Sequence, residues 1–122
     1  MSTKTHQIND IYNLIETIRL RPAMYLGDGK ITTLRAFLDG YSYAGQTNLR
    51  ADKDFPPFWY FHAWTMKKYN WRESTAGWKN IILKENNNDE EKSLSIFFEL
   101  IDEFKKLHPI SLQRLKLDQQ SL

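Results

Sequence analysis

The chain has 122 residues, of which 41% are hydrophobic and 14% aromatic, which supports one packed core and excludes a disordered protein. It contains no cysteine, which excludes disulfides, thiolate metal sites and cysteine nucleophiles and fits a reducing cytoplasm. The formal net charge of +2 is too small to indicate a nucleic-acid-binding protein.

Charge is spread unevenly along the chain. Residues 1–84 carry a net charge of +5, residues 85–108 carry −4, and residues 109–122 carry +1. One acidic segment therefore stands out on a mildly basic chain. Residues 1–10 lack the apolar core of a signal peptide, and no window approaches the roughly 20 apolar residues of a membrane span. The sequence predicts a soluble, cytoplasmic protein.

The first predicted helix covers about residues 10–20, where apolar residues recur at helical spacing at Ile11, Leu14, Ile15 and Ile18. Asn9 or Asp10 is expected to cap this helix. Pro22 is expected to close it, because proline disfavours helix at the preceding residue, Arg21.

A turn and a second helix follow Pro22. Gly27 and Gly29 permit a turn with positive φ, and Thr32 or Thr33 can cap the helix after it. That helix should run to Ala44 and end near Gly45, with an apolar face made of Leu34, Phe37, Leu38 and Tyr41.

Two further expectations concern packing around this turn. Gly40, inside the second helix, predicts a close approach to another helix, since glycine there is otherwise unfavourable. The segment of residues 21–28 is expected to pack against the second helix, with Met24, Tyr25 and Leu26 contributing contacts to the core.

The central aromatic segment predicts a third and a fourth helix. Asp54 is expected to cap the third, with Pro56 and Pro57 in its first turn. One face of it carries Phe58, Phe61, His62, Thr65 and Tyr69, and Asn70 should stop it. Ser74 is expected to cap a short fourth helix with Trp78, Ile81 and Ile82 on its apolar face.

The fifth predicted helix follows a turn at residues 86–88 and has Asp89, Glu90 and Glu91 in its first turn. Its inward residues are Leu94, Phe97, Phe98, Ile101 and Phe104, and it should end at Lys105, Lys106 and His108, before Pro109. The fold predicted is an all-α, single-domain bundle of about five helices over residues 1–122, with residues 109–122 left open.

No set of residues in the sequence has the spacing of a catalytic, cofactor or metal site. His6, His62 and His108 are far apart, and no pair has the i, i+4 spacing of zinc ligands on one helix. Gly27-Asp28-Gly29 is too short for a phosphate-binding loop. The expectation is a protein without catalytic activity, metal or cofactor.

Two surfaces could bind a partner. The first combines aromatic and basic residues and would suit single-stranded nucleic acid: Trp59, Tyr60, Trp64, Trp71 and Trp78 with Lys67, Lys68 and Arg72. Core aromatics beside solvated lysines explain the same pattern, and the modest net charge favours that explanation.

The second surface is acidic and lies on the last predicted helix. Glu99, Asp102 and Glu103 are spaced i, i+3, i+4 and so share one face, while Asp89, Glu90 and Glu91 extend the negative field. A solvated helix face is the ordinary explanation. The alternative is a docking surface for a basic partner such as a nuclease, whose cleft must attract phosphate.

The stretch Arg21-Pro22-Ala23-Met24-Tyr25-Leu26-Gly27, followed by residues 31–41, resembles a family of small bacterial proteins encoded beside polymorphic toxins. The resemblance extends loosely over about residues 10–105. It implies an immunity protein of a contact-dependent growth inhibition system, similar to the CdiI class, which binds and blocks a cognate toxin domain. Some members accompany RNA-cleaving toxins, including EndoU-like nucleases. The family offers no catalytic residues to carry over.

The same Arg-Pro-x-Met-Tyr-Leu-Gly pattern also resembles the opening of the gyrase B-type ATPase domain. In that family a Glu/Asp-Asn helix that binds Mg-ATP follows shortly afterwards. The corresponding helix here, residues 37–44, lacks both the glutamate and the asparagine, and no Asp-x-Gly-x-Gly lid follows. This second resemblance therefore does not imply ATPase activity.

Overall fold

The computed structural model describes residues 11–44, 55–72 and 77–121, with side chains up to residue 117. Within these ranges the chain forms seven α-helices and no strand. They are α1 (Ile11–Leu20), α2 (Pro22–Leu26), α3 (Ile31–Ala44), α4 (Phe61–Lys68), α5 (Trp78–Glu85), α6 (Glu90–Phe104) and α7 (Pro109–Ser121), with a 3-10 helix at Phe58–Tyr60 before α4. The all-α prediction is confirmed, with more helices than the five expected.

Phe61 lies at the centre of the core and is fully buried. Its ring stacks on Phe58 and Trp64, with centroids 5.4 and 5.8 Å away. Two rings of α6 pack against it edge to face, Phe97 and Phe104, with centroids 5.6 and 5.3 Å away. Because aromatic pairs in these arrangements attract beyond their buried area, this cluster holds the 3-10 helix and α4 against α6.

The apolar faces predicted for α1 and α6 are confirmed. All the predicted inward residues of both helices are buried: Ile11, Leu14, Ile15, Ile18, Leu94, Phe97, Phe98, Ile101 and Phe104. On α3, Leu34 and Leu38 are buried, whereas Phe37 and Tyr41 pack partly buried against the core. The Tyr12 hydroxyl donates to the carbonyl of Pro56, which ties α1 to the chain before the 3-10 helix.

Pro22 begins a helix as well as ending one. Arg21 has φ −147° and ψ 71°, outside the helical region, and α2 starts at Pro22 and spans five residues. Proline suits the first position of a helix because that position has no intrahelical partner for an N–H. The predicted positive φ at Gly27 is confirmed at 81°, and its N–H donates to the carbonyl of Ala23.

Two of the three core contacts expected from this segment are absent. Met24 and Tyr25 are 61% and 39% exposed, and α2 buries none of its residues. Only Leu26 packs against the core. The physical reason is length, since a five-residue helix makes little more than one turn and directs few side chains to one side.

The start of α3 differs from the prediction. The helix begins at Ile31, so Thr32 and Thr33 lie inside its first turn and do not cap it. The Asp28 carboxylate accepts the Lys30 N–H at 3.0 Å and the Thr33 hydroxyl at 2.8 Å. These hydrogen bonds, the one from the Lys30 backbone first, lower the pKa of Asp28.

Two glycine expectations were wrong. Positive φ among the described glycines occurs at Gly27 and Gly77, and not at Gly29. A Cβ added at Gly40 would meet nothing within 4 Å, so no helix packs closely there.

Other predicted helix ends are partly confirmed. Pro57 precedes the 3-10 helix, so the two prolines lie before the first turn rather than in it. Asn70 follows the end of α4 with φ 60°. The residue flanking the start of α5 is Gly77, with φ 89°, and not Ser74. Other predicted helix limits lie outside the described residues: Asn9, Asp10, Gly45 and Asp54.

The end of the chain forms a helix that the sequence pattern did not predict. The turn at residues 86–88 is confirmed, with φ of 57° at Asn87 and 59° at Asn88. Helix α6 ends at Phe104, and Pro109 starts α7, as Pro22 starts α2. The His108 ring Nδ1 accepts the Ile110 N–H at 3.1 Å. Leu112 and Leu115, on the inner face of α7, are buried.

Replacing Phe61 by alanine should destabilise the protein by about 3–5 kcal/mol, because it removes the central ring and leaves a cavity. Tyr25→Ala should change the stability by less than about 1 kcal/mol, because Tyr25 is exposed and outside the core. Urea unfolding of both variants measures the difference. Equal losses for the two would show that α2 belongs to the core after all.

Candidate partner-binding surfaces

The three acidic residues on the outer face of α6 have different surroundings. Asp102 accepts from Arg19 of α1, with Nη1 and Oδ1 2.8 Å apart. Glu103 accepts from Lys68 of α4, with Nζ and Oε2 2.6 Å apart. Glu99 is exposed and forms no ion pair with any residue in the described ranges. Two of these three carboxylates are therefore used to join helices of the same chain.

The hydrogen bond from Arg19 holds the pKa of Asp102 below its ordinary value, and partial burial opposes that effect. The same guanidinium lies 5.6 Å from the centre of the Phe98 ring. Arg19 thus binds α1 to α6 through a carboxylate and an aromatic face together.

The acidic residues at the start of α6 also have structural partners. The Asp89 side chain caps α6 by accepting the Lys92 N–H at 3.0 Å. Glu90 accepts both the N–H and the hydroxyl of Thr32, at 3.0 and 2.7 Å. It therefore caps α3 from a position 58 residues away in the chain. Glu91 is exposed.

The surroundings of Glu90 change the pKa of its carboxyl group. Burial raises its pKa, but the two hydrogen bonds from Thr32 outweigh burial, so the pKa lies below its ordinary value. Sequence reasoning missed this role because the acceptor and the helix end meet only in the folded chain. Of the six predicted docking carboxylates, Glu91 and Glu99 make no hydrogen bond or ion pair within the described ranges.

The predicted aromatic and basic surface is not one surface in the fold. Trp78 is buried, and Trp64 stacks on Phe61. Lys68 bonds Glu103 and lies 5.8 Å from the centre of the Trp64 ring. The Trp71 Nε1–H donates to Glu85 at 2.8 Å. Trp64 and Trp78 therefore pack in the core, whereas Lys68 and Trp71 make contacts within the chain.

Three exposed apolar side chains lie close together in the sequence where α1 meets α2. Leu20, Met24 and Tyr25 are 82%, 61% and 39% exposed and lie within six residues of one another. Arg21, also exposed, lies between them in the chain. We call this set, Leu20, Met24 and Tyr25, the α1–α2 apolar surface.

A groove of about 220 Å³ lies between α3, the 3-10 helix and the start of α5. Its lining combines apolar, charged and imidazole groups: Arg35, Leu38, Asp39, Phe58, Trp59, His62, Gly77 and Trp78. We call it the α3–α5 groove. Sequence reasoning did not find it, because its residues come from three separate segments.

Arg35 and Asp39 form the polar side of this groove. The Arg35 Nε–H donates to both carboxylate oxygens of Asp39, at 3.1 and 3.2 Å. The guanidinium lies 5.3 Å from the centre of the Trp78 ring. A Cβ on Gly77 would lie 2.9 Å from Arg35 Nη1. Glycine at this position therefore leaves space for the guanidinium group.

His62 lines the groove and is the histidine to be considered as a metal ligand there. No group of three histidine, cysteine, aspartate or glutamate side chains that could hold a metal ion occurs in the described part of the chain. Among the helices described, none has both the length and the apolar composition required to cross a membrane.

Comparison with known proteins gives no relative for this fold. No protein-family model, curated protein or solved structure matches the chain.

Replacing Glu90 by glutamine should reduce stability at pH 7 by about 0.3–1 kcal/mol, the range for a charge at an exposed helix N-terminus. Because the folded pKa is below the ordinary value of 4.5, the carboxylate contributes fully above that pH. The contribution is lost as the pH falls through the folded pKa. Urea unfolding should therefore show wild type and variant converging in stability in acid.

Glu99→Gln is the matched control, since it neutralises an exposed carboxylate of the same helix that has no described partner. It should change stability little at either pH. A difference between wild type and Glu90→Gln that persists unchanged in acid would contradict the capping role.

Proposed function

We propose that this chain is a non-enzymatic immunity protein that binds a cognate toxin domain and blocks its active cleft. The proposal starts from the resemblance of residues 21–41 to the immunity proteins of contact-dependent growth inhibition systems. The observation that carries it is the exposure of Met24 and Tyr25 in that same stretch. Neither side chain belongs to the core, so both can contact a partner.

The exposed apolar side chains near the start of α2 would gain free energy if a partner buried them. Burying a large apolar side chain is worth about 1.5–3 kcal/mol. Leu20 and Met24 leave most of their surface exposed in the isolated chain, and Tyr25 leaves 39% of its surface exposed. Single exposed apolar residues are ordinary, but neighbouring ones mark contact sites for other proteins. Arg21 among them adds a side chain that is common at such interfaces.

The toxin we propose is an RNA-cleaving nuclease, EndoU-like or similar, with a basic cleft. A cleft that binds phosphates attracts carboxylates as well. Glu91 and Glu99 supply this attraction, because Asp102, Glu103 and Glu90 are already held by partners within the chain. Such exposed charges chiefly raise the association rate.

The alternative, a module that binds single-stranded nucleic acid or regulates another protein, has less support. It needs Trp64, Lys67, Lys68 and Arg72 to act from one surface. Trp64 packs on Phe61, and Lys68 is engaged by Glu103. The geometry therefore favours the proposal of an immunity protein.

Met24→Gln combined with Tyr25→Ser should abolish protection when this chain is expressed together with the toxin encoded beside it. Truncating central interface side chains weakens binding by about 2 kcal/mol or more, which is roughly 30-fold. Stability should be unchanged, because both residues are exposed. Survival of the host cells is the measurement.

Ile110→Gln is the matched control, because Ile110 is also apolar and 65% exposed but lies on α7. It should leave protection intact. If the toxin kills cells equally with and without the wild-type chain, the proposed function is wrong. If the double variant protects as well as the wild-type chain does, the α1–α2 apolar surface is not the interface.

Glu99→Gln should slow association with the toxin and weaken its dependence on salt, while leaving dissociation nearly unchanged. Gln113→Lys changes the net charge by the same amount at an exposed site on α7 and is the control. Stopped-flow or surface-binding kinetics at several salt concentrations measure both. Equal effects of the two variants would remove Glu99 from the encounter surface.

A further inference from the structure

The apolar side chains that line the α3–α5 groove pack against the core. Leu38, Phe58 and Trp78 are each at most 6% exposed. Phe58 stacks on Phe61 at 5.4 Å, and Trp78 stacks on Phe97 at 4.9 Å. The core holds these rings in place before any ligand binds. A ligand that enters the groove therefore does not lose free energy to ordering its walls.

The charged side of the groove selects against charged ligands. Arg35 and Asp39 are paired, so together they have no net charge. An anion or a cation entering the groove would have to compete with an existing partner. A neutral group faces no such competition, and the Asp39 side chain, 61% exposed, has lone pairs left to accept a further N–H or O–H.

The size of the groove fits an aromatic ring. A dry apolar cavity of about 150 Å³ in another protein holds benzene. At about 220 Å³ this groove has room for the larger indole or phenol ring. Both rings are neutral and apolar on their faces, and each carries one hydrogen-bond donor on its edge.

We propose that the α3–α5 groove receives a tryptophan or tyrosine side chain of the protein partner, with its N–H or O–H donated to Asp39. The ring packs against Leu38, Phe58 and Trp78. This inference rests on the proposed function to the extent that it requires a protein partner. Such an aromatic anchor in a preformed pocket is the usual centre of binding energy at a protein interface.

Indole is the probe that tests the groove without the partner. Titrated into the ¹⁵N-labelled protein, it should shift the Trp78 indole N–H and the Arg35 Nε–H resonances in a saturable way, with Kd on the order of 1 mM. Shifts should be absent from the α1–α2 apolar surface. Failure of these two resonances to titrate would overturn the proposal.

The donor on the ring is tested with 1-methylindole, which has the same ring but no N–H. It should bind wild type roughly 3–10-fold more weakly than indole does, although its methyl group adds apolar surface. In Asp39→Ala the two probes should bind equally, because the acceptor is gone. Glu16→Ala is the matched control, because it removes a carboxylate of α1 that does not line the groove, and it should keep the difference. Equal affinity of both probes for wild type would overturn the role of Asp39.

Competition connects the groove with the partner. Saturating indole should slow formation of the complex with the toxin encoded beside this chain. Leu38→Phe narrows the groove, so it should weaken the binding of both indole and the toxin. Indole that binds the groove without affecting complex formation would overturn the partner assignment. Failure of the wild-type chain to protect in co-expression would refute the proposed function and leave the indole result standing, so the two failures are distinguishable.

Discussion

The packing of aromatic rings around Phe61 is the interaction on which the rest of the structure depends. Phe61 connects the 3-10 helix, α4, α5 and α6, because rings from all of these contact it. The same rings form the inner wall of the α3–α5 groove, since Phe58 and Trp78 each have one side in the core and one in the groove. The core therefore determines the shape of this possible binding site as well as the stability of the fold.

Carboxylates on α6 serve mainly to attach this helix to its neighbours. Asp102 joins it to α1, Glu103 joins it to α4, and Glu90 joins it to α3. Each contact is exposed in part, so each contributes modestly, but together they fix how α6 lies against three helices. Three of the six carboxylates predicted to form a docking surface thus join α6 to other helices of the same chain.

Local periodicity predicted the helices well where a full apolar face repeats over several turns. In α1 and α6, burial follows the i, i+3, i+4 pattern closely, because that pattern is the physical cause of the packing. Short elements were less predictable. Pro22 and Pro109 each begin a helix, whereas the sequence pattern predicted only that a helix ends before each of them. The exposure of Met24 and the groove beside Trp78 depend on contacts between distant segments, so neither could be predicted from neighbouring residues.

The capping of α3 by Glu90 has a consequence for the order in which the chain can fold. The N–H groups of the first turn of a helix have no partner within the helix, and in α3 the N–H of Thr32 donates to Glu90 of α6. One of its N–H groups is satisfied only when α6 arrives, from 58 residues further along the chain. Closing so long a loop is slower than forming a local turn. The hydrogen bonds of Thr32 with Glu90 can therefore form only once α6 lies beside the start of α3.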